Sequence, residues 1–192
     1  VRWHRGFVSR PYDYLGFLME RMQIMMQEIE TRRSIRKYSY EVMNEEDLQK
    51  ILEAGRLSPS AKNKQPWEFV VITNQEVKRE IAQKLEDKLE RENPTSEAIL
   101  NCSAAIVIFN SLEDDDWNIF SLGICAENMM LEATHLGYGS LCVGLTSLIE
   151  EDIKRICNTK HHHLAIICVG KSNEEPEAPS RKELHEFVTY IR

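Results

Sequence analysis

The chain has 192 residues, which favours a single compact domain. Hydrophobic residues make up 42% and charged residues 29%, the balance of a folded globular protein. Its 24 basic and 31 acidic residues leave a net charge of −7, which disfavours binding to nucleic acid or to anionic membrane surfaces. No apolar run approaches the ~20 residues that cross a bilayer. We therefore expect neither nucleic acid nor membrane as a partner.

The cysteines disfavour a disulfide framework and a zinc site. They are Cys102, Cys125, Cys142, Cys157 and Cys168. Their number is odd, there is no CxxC pair, and most lie in apolar runs, where cysteine behaves as a small core residue. We predict reduced thiols and a cytoplasmic location.

The first 14 residues carry arginines but lack the apolar stretch of a signal peptide. We expect residues 1–14 to be sequence added for expression or an N-terminal extension, and residues 15–192 to form one domain. Apolar residues recur at helical spacing from Leu15 to Ile29 and predict a first helix that ends near Thr31. Asn44 is placed to cap the next helix.

Short β-branched or apolar runs predict strands at residues 68–73, 104–109, 140–143 and 164–169. Residues 57–67 are predicted to be a loop. The dipeptide Asn93-Pro94 is predicted to end the amphipathic helix that precedes it in the chain. Residues 117–136 form a long predicted helix without a clear polar face, which is typical of a domain centre or an interface. Ser147 and Glu150 have the spacing of a capping box for a helix to Cys157, and residues 187–191 are strand-like.

Helices and strands are mixed without a strict alternation, which favours an α+β fold. No GxGxxG motif follows a predicted strand, so nothing indicates a Rossmann dinucleotide site.

The basic segment Arg32-Arg33-Ser34-Ile35-Arg36 follows the first helix. Guanidinium groups and a hydroxyl in one short segment can clamp a phosphate by bidentate, charge-assisted bonds. The alternative is a solvated turn whose charges favour the C-terminus of the preceding helix.

Two further segments are candidates for ligand contact. The loop from Pro59 to Trp67 is rich in amide and hydroxyl groups that match a planar heterocycle with alternating N–H and C=O groups, but it could equally be a surface loop anchored by Trp67. Residues 136–145 contain Gly137, Gly139 and Gly144, which allow close backbone approach to a flat ligand or serve only a helix-to-strand connection. A basic pair at residues 181–182 indicates nothing beyond surface charge by itself.

Together, these motifs resemble the nitroreductase family. The match to that family in order and spacing runs from Ile29 to Arg192. It consists of RRSIRKY, then PSAKNKQPW about 25 residues later, then an apolar helix leading into GYGS, and then Arg-Lys near the C-terminus. The resemblance implies an α+β fold with a central, mainly antiparallel sheet flanked by helices. It also implies a homodimer with FMN at the subunit boundary and an exchanged C-terminal strand at residues 187–191.

The same resemblance implies a cofactor role for particular residues. The predicted FMN-binding residues are Arg32, Arg33, Ser34, Arg36, Pro59, Ser60, Ala61, Asn63, Gln65, Cys142, Val143, Gly144, Leu145, Arg181 and Lys182. The segment from Pro59 to Gln65 would come from the facing subunit, Arg36 would lie by the N1–C2 edge of the flavin, and Arg181 with Lys182 would complete the phosphate site.

The implied activity is ping-pong reduction of a nitroaromatic, a quinone or a related electron-poor acceptor by NAD(P)H. No residue is assigned as a catalytic acid or base. Two alternatives stay open: a different reaction on the same flavin (dehalogenation, flavin breakdown or dehydrogenation), or FMN binding without catalysis. Cys142 is expected to be a packed thiol rather than a reactive one. The run His161-His162-His163 is not expected to bind metal, because consecutive side chains in an extended segment point to opposite sides.

Overall fold

The structure is a computed structural model that describes residues 25–113 and 115–192. In chain order, the helices and strands are α1 Gln27–Thr31, α2 Glu45–Arg56, β1 Trp67–Ile72, α3 Gln75–Leu89, α4 Pro94–Asn101, β2 Ala104–Asn110, α5 Asp116–His135, β3 Gly139–Val143, α6 Glu150–Cys157 and β4 His162–Gly170. Single 3₁₀ turns occupy Ala61–Asn63, Leu145–Ile149 and Leu184–Glu186.

The four strands form one antiparallel sheet in the order β1-β2-β4-β3. Trp67 lies opposite Asn110 at one end of the β1–β2 ladder, and Gly139 lies opposite Gly170 at the far side of the sheet. This is the α+β arrangement with an antiparallel sheet and flanking helices that the sequence predicts.

The sheet lies between two helical layers. Alternate residues of β2 face opposite layers: Val107 packs with Ile81 of α3 and Ile99 of α4, whereas Ile106 packs with Ile51 of α2 and helix α5. Every residue of β2 is buried, because a central strand covered on both faces has no solvent side. The long helix α5 thus covers the face of the sheet opposite to α3, α4 and α6.

Asparagine caps start three of the helices. The side chain of Asn44 accepts from the Glu46 N–H, as predicted, and Asn74 caps α3 in the same way. The interpretation of Asn93-Pro94 as a helix end is wrong: α3 ends at Leu89, and Asn93 instead caps the new helix α4 with Pro94 at its first turn.

Other sequence expectations need correction or fall outside the described part. Helix α6 follows a 3₁₀ turn and has Ile149 as its N-cap without a side-chain cap, so the capping box from Ser147 to Glu150 is wrong. The first helix ends at Thr31 as predicted, but its expected start lies outside the described residues, as do residues 1–14.

Helices α2 and α5 approach closely at Gly55. A Cβ placed there would lie 2.2 Å from Cε of Met129 and 3.2 Å from the sulfur of Cys125. A larger residue at position 55 would therefore require the Met129 side chain to move, since its flexible end fills this space.

Several large apolar side chains are exposed at the start of α5 and in the C-terminal segment. Trp117 is 66% and Phe120 63% exposed, and Phe187, Tyr190 and Ile191 are exposed as well. The predicted strand at residues 187–191 does not form within the single chain. Its exchange with a partner remains a prediction. Within residues 25–113 and 115–192, none of the helices combines the length and apolar character that a bilayer crossing requires.

Candidate functional site: an arginine-lined cleft

The segment that carries the arginines is fixed by backbone hydrogen bonds. Ile35 N–H donates to the carbonyl of Ser140 in β3 over 2.9 Å, and Ser34 forms a parallel bridge with Ser140. Four residues later, Ser39 N–H donates to the Lys171 carbonyl over 2.8 Å. The segment therefore lies along the edge of the sheet rather than in a free turn.

Glu174 connects this segment to the C-terminal part of the chain. Its Oε1 accepts from the N–H of Arg36 over 2.5 Å and from the N–H of Lys37 over 3.1 Å. The Lys37 carbonyl in turn accepts from Asn173 N–H over 2.9 Å. These contacts bring the chain after β4 next to the arginines, and no sequence motif indicated a role for Glu174.

The result is a cleft of about 280 Å³, which we call the arginine cleft. It is lined by Arg32, Arg33, Ser34, Arg36, Pro176, Glu177, Pro179 and Arg181. The structure thus brings together the first four predicted FMN-binding residues and Arg181, although nearly 150 residues separate them. Lys182 does not line the cleft, since its ammonium lies 5.9 Å from the ring centroid of Phe187.

The guanidinium groups retain many unused donors. Arg32 Nε lies 3.5 Å from Oε1 of Glu127 in α5, and Arg33 donates to the carbonyls of Glu30 and Arg32. Arg36 reaches only the Ser34 carbonyl, over 3.3 Å. Because a guanidinium has five N–H donors, most donors in the cleft face no protein acceptor among the described residues.

A buried hydroxyl beside the cleft also lacks a partner. Ser140 is 1% exposed, and its Oγ makes no hydrogen bond within the described residues. An unpaired buried polar group costs about 1–3 kcal/mol, so its presence calls for an explanation. The unused guanidinium donors fit a phosphate-bearing ligand such as the ribityl phosphate of FMN, whereas the Ser140 hydroxyl belongs to a residue that does not line the cleft.

The glycine-containing segment after the long helix forms strand β3 and the following turn. Cys142, Gly144 and Leu145 are exposed, whereas Val143 is 2% exposed and packs in the core, so only its backbone is free to face a ligand. The expectation that Cys142 is packed away from solvent is wrong for the single chain. Close packing around its sulfur nevertheless raises the pKa of Cys142, and Glu127 raises it further. A raised pKa disfavours the nucleophilic thiolate.

The loop from Pro59 to Gln65 is exposed but held in one conformation. Its Ser60 Oγ accepts from Gln65 N–H over 2.9 Å, and Lys62, Asn63 and Gln65 all have left-handed φ values between 49° and 55°. Left-handed conformations of residues other than glycine cost energy and concentrate at ligand sites. Within one chain this loop does not line the arginine cleft, so the two predicted halves of the FMN site stay separate.

The three consecutive histidines have separate partners. His161 lies 3.3 Å from Glu68 and His162 lies 2.6 Å from Glu150, while the buried His163 ring bonds Oγ1 of Thr146. In the described part of the chain, no group of three histidine, cysteine or acidic side chains could hold a metal ion.

Comparison with known proteins identifies the class. The antiparallel sheet between two helical layers is the α+β fold that solved nitroreductase-type structures share. The nitroreductase family profile matches residues 29–171. The chain therefore belongs to the nitroreductase family.

Relatives and solved structures agree with this assignment. A protein of Archaeoglobus fulgidus, assigned as an NADH dehydrogenase/NAD(P)H nitroreductase, is 34% identical over 129 residues, which is 65% of this chain and 69% of the relative. A protein of Methanothermobacter thermautotrophicus with the same assignment is 30% identical over 159 residues, or 79% of each chain. A crystal structure assigned as a nitroreductase in complex with FMN, from Desulfovibrio desulfuricans, superposes with a TM-score of 0.75 at 24% identity, covering 87% of this chain and 96% of that chain.

Proposed function

We propose that this protein is an FMN-dependent NAD(P)H oxidoreductase that reduces nitroaromatic, quinone or related electron-poor acceptors by a ping-pong mechanism. The observation that carries the proposal is the arginine cleft, in which Arg32, Arg33, Arg36 and Arg181 converge with their donors largely unused. Four arginines around one small cleft, with Glu177 as the one acidic residue in its lining, favour binding of an anionic ligand there. The family, whose relatives carry nitroreductase names, supports FMN as that ligand and NAD(P)H as the electron donor.

The chain's own residues would bind and orient the cofactor. Arg32, Arg33 and Arg181 would hold the phosphate by charge-assisted bonds, and Ser34 would bond the phosphate or the ribityl chain. Arg36 would lie by the flavin's N1–C2 edge, where a positive charge stabilises the reduced, anionic ring. Bound FMN would accept a hydride from NAD(P)H and pass it to the acceptor. The residues from Cys142 to Leu145 would cover one face and exclude water from it.

The remaining half of the site would come from a second copy of the chain. The cleft of about 280 Å³ lies below the usual 300–1,000 Å³ of sites that enclose a whole small ligand, so it suits the phosphate end and not the rings as well. Trp117 and Phe120 of α5 and the apolar tail are exposed in a way that is unusual for a monomer. We propose a homodimer in which the loop from Pro59 to Gln65 faces the partner's flavin and the tail exchanges. All five cysteines are free, which fits a cytoplasmic location.

The first test is an absorbance spectrum of the purified protein, recorded before and after NADPH is added without oxygen. We expect flavin bands that bleach on addition and return when a quinone is supplied. Bands that persist with both NADH and NADPH would contradict the electron donor. A protein without bands that does not bind added FMN would contradict the cofactor.

The phosphate assignment has a separate test. Arg32→Ala combined with Arg181→Ala removes two charge-assisted interactions of about 1.5–3 kcal/mol each, so FMN affinity should fall at least about 100-fold. The matched control is Arg79→Ala with Arg155→Ala, which removes the same charge from exposed surface ion pairs. Gel filtration checks that both variants keep the oligomeric state. Equal FMN affinity in the two double variants would show that the arginine cleft is not the phosphate site.

A further inference from the structure

A buried histidine that the proposed function does not use lies behind the turn after strand β3. His163 of β4 is 6% exposed, and its ring packs against the ring of Phe109 edge to face, with 5.7 Å between the two centroids. Its Nε2 lies 2.7 Å from Oγ1 of Thr146, which is fully buried in the 3₁₀ turn Leu145–Ile149. The histidine therefore connects β4 with the turn that follows β3.

The hydroxyl of Thr146 continues this connection to the end of β3. Thr146 Oγ1 donates to the carbonyl of Val143 over 3.0 Å. A threonine hydroxyl carries one hydrogen, and a carbonyl oxygen can only accept, so this hydrogen is used by Val143. The oxygen of Thr146 must then accept from His163, which places the proton of the histidine ring on Nε2. We call this pair of hydrogen bonds, from His163 through Thr146 to Val143, the His163 network.

The other ring nitrogen agrees with this assignment. Nδ1 of His163 is buried and makes no hydrogen bond within the described residues. A proton on Nδ1 would leave a buried donor unpaired, and the single hydrogen of Thr146 would then face two acceptors. Burial lowers the pKa of His163 to about 4, although Glu150 and the Ile108 carbonyl act in the opposite direction. The ring is therefore neutral at neutral pH.

The network fixes the peptide unit between Val143 and Gly144. In a trans peptide the carbonyl and the N–H point in opposite directions, so a carbonyl held toward Thr146 directs the Gly144 N–H away from it. Gly144 is exposed, whereas Val143 is 2% exposed and Thr146 is fully buried. Hydrogen bonds on the buried side of the turn thus set the backbone that the turn presents on its exposed side.

We propose that His163 is a positioning residue for the flavin site: with its proton on Nε2, it fixes the Thr146 hydroxyl and, through it, the backbone from Val143 to Leu145. The inference rests on the proposed function, in which this backbone would cover one face of the flavin. A backbone segment that is ordered in advance loses less conformational freedom when a ligand binds, so the His163 network should strengthen FMN binding.

The first test locates the ring proton by nitrogen NMR of the full chain. Couplings to the ring hydrogens distinguish the two ring nitrogens, and the signal of His163 is identified because His163→Phe removes it. We expect a proton on Nε2 and a bare Nδ1 at neutral pH. A proton on Nδ1, or a ring with both nitrogens protonated, would overturn the proposal.

The second test compares two changes of Thr146 by flavin fluorescence titration. Thr146→Val keeps the shape of the side chain without the hydroxyl, and FMN affinity should fall about tenfold because FMN must then order the turn on binding. Thr146→Ser keeps the hydroxyl and should bind FMN more tightly than Thr146→Val. Thr95→Val makes the same change in α4, away from the turn, and should leave FMN affinity unchanged. Equal affinity in the two Thr146 variants would overturn the positioning role.

Hydrogen exchange separates a local effect from a general loss of stability. In Thr146→Val without FMN, exchange should be faster at residues 143–147 and unchanged in helix α3. Faster exchange to the same degree in both segments would overturn the proposal, because it would show only a less stable fold.

A double variant tests whether the two side chains act together. His163→Phe keeps an aromatic ring against Phe109 and should also weaken FMN binding, and adding Thr146→Val should weaken it little further, because both changes remove the same network. Additive losses would overturn the link between the two residues. The NMR and exchange readouts do not need FMN. Failure of the proposed flavin function would therefore appear as an unchanged chain that binds no FMN while its ring proton is still on Nε2.

Discussion

Replacing Gly139 by alanine tests whether packing against β3 positions the arginines. A Cβ at residue 139 would lie 2.7 Å from Cγ1, 2.9 Å from Cβ and 3.0 Å from Cγ2 of Ile35. Three such contacts against a branched side chain cannot be relieved by one rotamer change, because Cβ of Ile35 moves only with its backbone. The segment 32–36 must therefore shift away from the sheet.

The size of the effect follows from these contacts. Overpacking of a buried site costs about 1–3 kcal/mol, and the hydrogen bond from Ile35 to Ser140 weakens as the segment moves. Loss of a single charge-assisted bond from the displaced arginines lowers the free energy of FMN release by about 1.5–3 kcal/mol. Urea unfolding should show the loss of folding stability caused by overpacking. Flavin fluorescence titration should show that FMN affinity is at least about tenfold weaker.

Gly123→Ala is the matched control. No heavy atom lies within 4 Å of a Cβ at that position in α5, and alanine is favoured over glycine in a helix by about 1 kcal/mol. This variant should be at least as stable as the unchanged chain in urea unfolding. If Gly139→Ala lowers stability but binds FMN equally well, the segment is not positioned by this contact. If it lowers neither, the packing argument is wrong.

Two further predictions concern stability. Burial lowers the pKa of His163 to about 4 in the folded chain, below the ~6.5 of an exposed histidine. The stability that the neutral, buried His163 ring contributes is therefore complete above pH 6.5 and is lost as the pH falls towards 4. His163→Gln should therefore flatten the pH dependence of the unfolding free energy between pH 6.5 and 4, by about 3 kcal/mol at most, and an unchanged slope would contradict this. Asn93→Ala removes the side-chain cap on the N–H groups of Thr95 and Ser96 and should cost about 1 kcal/mol in urea unfolding. Glu92→Ala is the neighbouring control, and an equal cost in both variants would show that the cap contributes nothing.

The buried strands were predictable because their apolar runs are continuous. Residues 104–109 of β2 and 164–169 of β4 are covered on both faces, so these stretches carry no polar residue, and the polar residues of the two strands stand only at their ends. The Asn93-Pro94 pair was misinterpreted because the same dipeptide both follows a helix and starts one. A proline at the first turn has no N–H to leave unpaired, and an asparagine before it caps the helix.

The candidate site was predictable in part. The four arginines of the arginine cleft were identified from their motifs, but Glu177, which also lines it, and the neighbouring Glu127 and Glu174 were not, since isolated glutamates in an acidic chain carry no signal. Lys182 was carried over from the resemblance, yet the chain turns after Arg181 and directs Lys182 toward Phe187. The left-handed residues of the loop near Asn63 depend on tertiary contacts that no local pattern specifies.

The close approach of α2 and α5 at Gly55 has an evolutionary consequence. Because the space that a methyl group at residue 55 would need is filled by the end of Met129, substitutions at the two positions are coupled. A descendant of this chain that gains alanine at residue 55 needs a shorter side chain at residue 129, and the order of the two changes matters. Shortening Met129 first leaves a cavity that the later alanine fills, whereas the reverse order passes through an overpacked core. Homologues should therefore pair glycine at 55 with a long residue at 129, and alanine with a short one.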